Sequence, residues 1–403
     1  MFWSLVKVQG AQKVVQEVVV VVIRKTPGCC KTCIVLVGLM CGPAVNAAVL
    51  PQDRSDVLYH SYQGDGVSID GPSILLRKKI GDKVSVSANY YVDSISGASI
   101  DVRATASEYK EERTETTLAA DFLHNKSLLS VSYTASDEND FKARSLYFGI
   151  SQDFFGDLTT LALSYSRGQD EIGRTGDESF LEEADRQKYG LGITQVATKN
   201  LIMGLTLENI SDHGYLNNPY RSVRFVDPLA ARGYRFVTEI YPNSRTSNAL
   251  ALTANYYLPY RASIYGEVRG YKDSWGIRGQ NVKLGYIHTF GNDWIVDMHS
   301  RVYSQDKANF YQDLFTREDQ FNFMARDKEL STFSNVSVGL SVSYEKTLST
   351  SALFKKWSVN GEVDHIRFKY SDFRDVLAEG LVGEEPLFAF NANVIRVFFS
   401  VWY

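Results

Sequence analysis

The pair Asp212-His213 comes nearest to a catalytic set in this sequence, because an Asp-His pair facing a second acidic pair can activate a water molecule. Two features count against that chemistry. No Asp-Asp dipeptide supplies the opposing acids in any candidate loop, and adjacent residues of a strand point to opposite faces, which separates Asp212 from His213. A serine nucleophile needs a base that a third group orients, and the abundance of serines is not evidence of one. The six histidines, His60, His124, His213, His288, His299 and His365, form no close pair, so a metal centre would have to be assembled across strands. Cys29, Cys30 and Cys33 have the closeness of metal ligands, but no second Cys or His pair stands at ligand spacing. The acidic runs Asp137-Glu138-Asn139-Asp140 and Glu178 to Asp185 attract calcium by charge only; they lack the glycine pattern of a calcium loop and read as solvated rims. These residues imply no enzyme, no metal and no cofactor.

A second chemistry is fixed charge along a pore. Glu267, Arg269, Lys283, Asp297, His299, Arg301, Glu345, Glu362, Asp364 and Arg396 fall on the polar face of alternating stretches and are the lumen-lining candidates. Both signs are present, so cross-strand pairing that stiffens the wall is the plainer role, with tuning of ion passage as the functional one.

Such residues need strands to hold them in register. Period-two alternation recurs from Ala48 onward: Val84, Val86, Ala88, Tyr90 and Val92 interleave with Ser85, Ser87, Asn89, Tyr91 and Asp93. Val336, Val338, Leu340, Val342 and Tyr344 do the same with small or polar partners. The last strand, Phe388 to Tyr403, puts Ile395, Val397, Phe399, Val401 and Tyr403 on one face. A free apolar edge of that length aggregates in water, so the sheet must close on itself with lipid outside. Phe399, Val401 and Tyr403 then serve as the membrane-insertion signal for the barrel-assembly machinery.

Tight turns rich in Gly, Asn and Asp, at Gly81-Asp82, His124 to Lys126, Phe155 to Asp157, Thr198 to Asn200, Pro259-Tyr260 and Gly291 to Asp293, alternate with longer connections. A somewhat longer turn covers Ser349 to Lys355. The long set comprises Ser96 to Arg113, Gly168 to Arg186, Asp212 to Ser244, Asp306 to Phe333 and Asp372 to Leu387, with shorter members near Gln63 to Gly66, Asp137 to Asp140 and Ser274 to Gly279. Short turns on one side and long loops on the other are the outer-membrane pattern. The count gives an all-β, closed antiparallel transmembrane barrel of about sixteen strands, bracketed by fourteen and eighteen, with both termini periplasmic. The loops Asp212 to Ser244 and Asp306 to Phe333 are rich in Tyr, Phe and Arg, and Tyr215, Tyr220, Arg221, Phe310 and Tyr311 are the candidates for an inward constriction.

Composition agrees: 403 residues with 24 Tyr and 22 Phe are too polar overall for membrane helices and rich in girdle aromatics. Arg24, Lys25 and Lys31, the apolar run Cys33 to Met40 and the small-residue site Val45-Asn46-Ala47 read as a signal peptide cleaved before Ala48. A lipoprotein cleaved before Cys41 is the alternative, for which Met40 is a poor preceding residue. The valine-rich stretch upstream suggests a start near Val21 or Val22. The two domains are thus 1–47, extension and signal, and 48–403, the barrel. Removing 1–47 leaves 38 basic and 46 acidic residues, a formal charge of −8 that argues against a nucleic-acid partner.

Asp70-Gly71-Pro72-Ser73, Ser87-Ala88-Asn89-Tyr90-Tyr91-Val92-Asp93-Ser94, Gly214-Tyr215-Leu216-Asn217-Asn218-Pro219-Tyr220-Arg221, Leu258-Pro259-Tyr260-Arg261 and Ala325-Arg326-Asp327-Lys328-Glu329-Leu330-Ser331 resemble an uncharacterised family of Gram-negative outer-membrane barrels. The resemblance spans the mature chain and implies fold and location. It assigns no activity and no site residues, and it implies neighbours of the small-lipoprotein and flavin-attachment kind, hence a periplasmic or lipoprotein partner beside outer-membrane lipid. The reading is therefore a porin-like channel or transport barrel. Its alternatives are a scaffold barrel hosting a partner in its lumen or at its periplasmic mouth, or an outer-membrane hydrolase.

Overall fold

A computed structural model describes residues 49–97, 100, 109–348 and 353–403. The cysteines and the signal-peptide stretch lie outside these residues, as do 349–352 of the longer turn. The strands are β1 (Arg54–Gly64), β2 (Val67–Ile80), β3 (Val84–Gly97), β4 (Tyr109–His124), β5 (Ser127–Asp137), β6 (Phe141–Phe154), β7 (Thr159–Arg174), β8 (Asp177–Val196) and β9 (Leu201–Gly214). They continue as β10 (Ser222–Val226), β11 (Tyr234–Thr238), β12 (Ser244–Leu258), β13 (Ala262–Asp273), β14 (Arg278–Phe290), β15 (Trp294–Gln305), β16 (Phe333–Thr347), β17 (Lys356–Arg374) and β18 (Leu387–Trp402).

Sixteen of them close one antiparallel barrel, in which each strand pairs with its neighbours in sequence, β9 pairs with β12, and β1 pairs with β18. The seam runs in register from Arg54 opposite Trp402 to Gly64 opposite Ala392. It is tied at its short-turn end by Tyr403, whose hydroxyl donates to the Arg77 carbonyl at 2.9 Å under the Lys78 ammonium, 4.7 Å from the ring. Phe399, Val401 and Tyr403 share the outward face there, while Trp402 turns inward beneath Lys356 at 4.0 Å.

Alternation explains the wall. Leu250 and Leu252 are 44% and 52% exposed on the outside of β12, whereas Ala251 and Thr253 between and beyond them are buried. The same holds for Val282 and Leu284 on β14 and for Val336, Val338 and Leu340 on β16. A continuous apolar belt of this kind has no place in water, and closure removes every edge, so the belt faces lipid. The tight turns supply the left-handed backbone that they require: Gly81, Asn125 and Gly291 have φ of 66°, 54° and 58°.

Two expected loops are partly sheet. Gly168 to Arg186 is a hairpin, with β7 running to Arg174 and β8 starting at Asp177. Gln169 stands opposite Asp185 and Glu171 opposite Glu183, so pairing continues where both faces meet water and the apolar signal has ended. The connection from β9 to β12 carries its own two-stranded sheet, β10 with β11.

A lumen of fixed charge under a knitted mouth

The inner face is polar and unevenly charged. On β13 to β18 the ten expected lumen residues all sit at inward positions of their strands. Asp364 accepts from His299 Nε2 at 2.9 Å and lies 3.5 Å from Arg396 Nη1, which also pairs with Glu362 at 2.9 Å. Asp297 faces the His299 ring from the other side at 3.8 Å and accepts from the Tyr265 hydroxyl at 3.0 Å. Arg301 donates to Asn281 at 2.7 Å, which donates to Glu267 at 3.0 Å. Arg269 pairs with Glu208, shared with Lys188 at 2.6 Å; Glu345 pairs with Lys356 at 3.1 Å, and Lys283 lies 5.5 Å from the Tyr265 ring centre.

The first half of the barrel contributes a cluster that sequence reasoning missed. His60 Nε2 lies 2.7 Å from Asp93 and 2.9 Å from the Tyr91 hydroxyl, with Arg113 3.2 Å from the other Asp93 oxygen. The alternation that placed the second-half residues was present here too: His60 lies between outward Val57, Tyr59 and Ser61 on β1. Between these charged arcs, the middle of β5 to β7 turns serine and glycine inward, including Ser130, Ser132, Gly149 and Ser164.

His299, Glu362 and Asp364 bring ligand atoms within 4.8 Å of one another, as do Glu111, Glu138 and Asp140. In the first group Arg396 already supplies the positive charge. Asp212 turns inward to accept from Arg186 at 2.6 Å, while His213 lies on the opposite face of β9, so the pair shares no site.

The end with the long connections is knitted together. The Tyr220 hydroxyl bonds to Asp140 in the β5–β6 connection and accepts from the Thr175 N–H at 2.8 Å in the β7–β8 turn. The next residue, Arg221, is buried and pairs with Asp327 at 2.7 Å in the β15–β16 connection, half the ring away from Asp140. Lys328 and Asp65 form a wholly buried pair at 2.7 Å that ties the same segment to the β1–β2 turn, where Ile100 also donates to Asp65. Ile240 bridges Met324, Phe225 bridges Phe315, and Asn309 donates to the Trp275 carbonyl at 2.8 Å. Arg224, fully buried, holds Glu385 at 2.5 Å and Asp313 together, and Asp313 also accepts from the Arg374 N–H at 3.1 Å. All eight connections at this end contribute a contact.

Apolar packing fills the gaps. Tyr241, Trp275, Tyr311, Ala325 and Leu330 form one cluster with Phe310 packed against it, and the Tyr311 hydroxyl donates to the Asp372 carbonyl at 3.0 Å. Tyr215 packs edge-on against Phe180. Inside this layer Glu239 and Glu329 are buried beside Asp327. Burial, then the Asp327 carboxylate, pushes each of them up to about 7, although Arg221 opposes the shift.

Among the described residues no helix is long and apolar enough to cross a membrane. No curated protein matches the sequence. The fold is similar to a bacterial polysaccharide outer membrane secretin at 6% identity, covering 88% of this chain and 99% of that one with a TM-score of 0.48. It is also similar to OpdK of Pseudomonas aeruginosa, solved with vanillate, at 12% identity, 87% and 98% coverage and a TM-score of 0.42. A Pseudomonas aeruginosa FadL homologue gives 9% identity, 88% and 91% coverage and 0.37. Residues 178–365, from β8 into β17, match the family model described as "Protein of unknown function (DUF3570)".

Proposed function

We propose that the chain is a porin-like channel for small hydrophilic solutes that its long connections hold closed at rest. The observation that carries the reading is the pairing of a polar, charged inner wall with a mouth crossed by a buried ionic layer. A structural plug needs no charged wall beneath it, and an open pore needs no ties across half the ring. The knitted mouth specifically favours a second reading, a scaffold barrel that hosts a partner in its lumen or at its periplasmic mouth. The long connections are read as extracellular and both termini as periplasmic, in line with the even strand number.

Planar-bilayer recording of the purified chain separates the two readings. A channel gives stepwise openings from a small resting conductance, and a scaffold stays silent in every variant that loosens the mouth. Arg396→Gln removes the cation between Glu362 and Asp364, and a unit charge at about 4 Å in water is worth ~1 kcal/mol. The cation-to-anion preference of the open state is therefore expected to rise about fivefold. An unchanged reversal potential under a salt gradient would place this network off the solute path.

A further inference from the structure

The outer wall carries a groove of about 1020 Å³ spanning seven neighbouring strands, β5 to β9, β12 and β13. The parity of its lining shows on which side it lies. On β5 it is lined by Leu129, Ser130 and Val131 and on β13 by Gly270, Tyr271 and Lys272; in each case two lipid-facing residues flank one lumen-facing residue. The groove therefore meets outward side chains and the backbone between them. Seven of sixteen strands in a round barrel cover more than a third of the circumference and face apart, so one shared groove requires a wall dented inward. The inward residues beneath this arc are small at Ser130, Gly149, Ser164 and Gly190, with the inward Tyr147 ring lying against Gly149.

The groove is graded along its length. One row of paired residues passes from Val131, Phe148 and Tyr165 through Asn209 and Asn248 to Lys272. Arg278 stands directly opposite Lys272 on β14. Both are exposed, and among the described residues neither forms an ion pair. One end is thus hydrocarbon and aromatic, and the other offers amides and two unneutralised cations at the long-connection end of the barrel. At Gly270 a Cβ would meet nothing within 4 Å, so the groove is open there.

We propose that this groove binds a phosphorylated glycolipid of the outer leaflet, lipid A, with acyl chains over β5 to β9 and a phosphate at Lys272 and Arg278. Charge complementarity and position choose this occupant: the cations lie at the end read above as extracellular, where the leaflet lipid is phosphorylated and carries several chains. The proposal rests on that orientation.

Native mass spectrometry of the full chain in detergent, with lipid A added, tests it. Lipid A is expected to stay bound. Binding should fall about thirtyfold in Lys272→Ser/Arg278→Ser, and Gly270→Trp should abolish it. Heat-modifiable mobility and conductance should be unchanged in both variants. Equal retention by wild type and both variants would overturn the site, equal retention of dephosphorylated lipid A would overturn the headgroup contact, and equal retention of phosphatidylglycerol would overturn the choice of lipid. The orientation is read independently, by antibody access on whole cells to an epitope inserted between Thr175 and Gly176; an inaccessible epitope overturns the orientation and with it the outer-leaflet source, whatever the lipid binding in detergent.

Discussion

Arg224→Met is expected to open the mouth while leaving the barrel folded. The guanidinium is fully buried and is shared by Glu385 and Asp313, from two different connections, and it also donates to the Asp313 carbonyl at 3.0 Å. Glu385 is held below the usual carboxylate range; burial alone would raise it, and the Arg224 contacts outweigh that. Methionine keeps the packing volume and removes the charge, so two buried carboxylates lose their shared cation. Breaking a buried pair this way is worth about 3–5 kcal/mol, enough to release loops that depend on a handful of such ties. The barrel wall, joined by its own continuous ladder, does not share that dependence. Proteinase K on intact cells should cut within 215–243 and 375–386 far faster in the variant, with heat-modifiable mobility preserved. Adding Glu385→Leu should recover part of the protection, since the second substitution removes one of the stranded charges. Protection equal to wild type in the single variant would show that the mouth does not depend on this ion pair.

Alkaline pH is expected to loosen the same layer. Glu239 and Glu329 ordinarily titrate near 4.5 and are pushed up to about 7 by burial and by Asp327. Between these values the closed mouth keeps protons that an open, hydrated mouth releases. Its stability is therefore full in acid and declines as pH rises through 7, by up to about tenfold in the closed-to-open ratio per pH unit and group. Conductance and loop cleavage should both be higher at pH 8 than at pH 6. Glu239→Gln/Glu329→Gln should flatten the dependence and keep the mouth shut at pH 8, because the neutral amide keeps an acceptor for the Arg326 N–H that now bonds Glu239 at 2.6 Å. A pH dependence unchanged in the double variant would assign it to other groups.

The barrel was legible because lipid outside and water inside impose opposite demands on neighbouring residues. Leu250 and Thr253, or Val338 and Ser337, record the two solvents directly in the chain. That signal fades above the belt, where water bathes both faces, and so Gly168 to Arg186 reads as loop although it is paired backbone. Tyr220, Arg221 and Tyr311 could be singled out by residue type, since aromatic and arginine residues are out of keeping with an idle loop. Their partners could not. Asp140, Asp327 and Asp372 lie 80, 106 and 61 residues away, and nothing local in the sequence encodes such separations. Lys328 and Glu239 were missed for the same reason, as charged loop residues whose burial arises only when several connections pack together. The dented outer wall depends on seven strands at once and leaves no mark in any one of them.

The most direct test of a charged channel closed by its own loops is single-channel conductance in a planar bilayer at pH 7, comparing the wild-type chain with Arg224→Met. The account predicts rare, brief openings in the wild type and long-lived openings of the same unit size in the variant, with a selectivity that Arg396→Gln shifts toward cations. Silence in both proteins, with folded barrels confirmed by heat-modifiable mobility and loops confirmed open by cleavage in the variant, would contradict it.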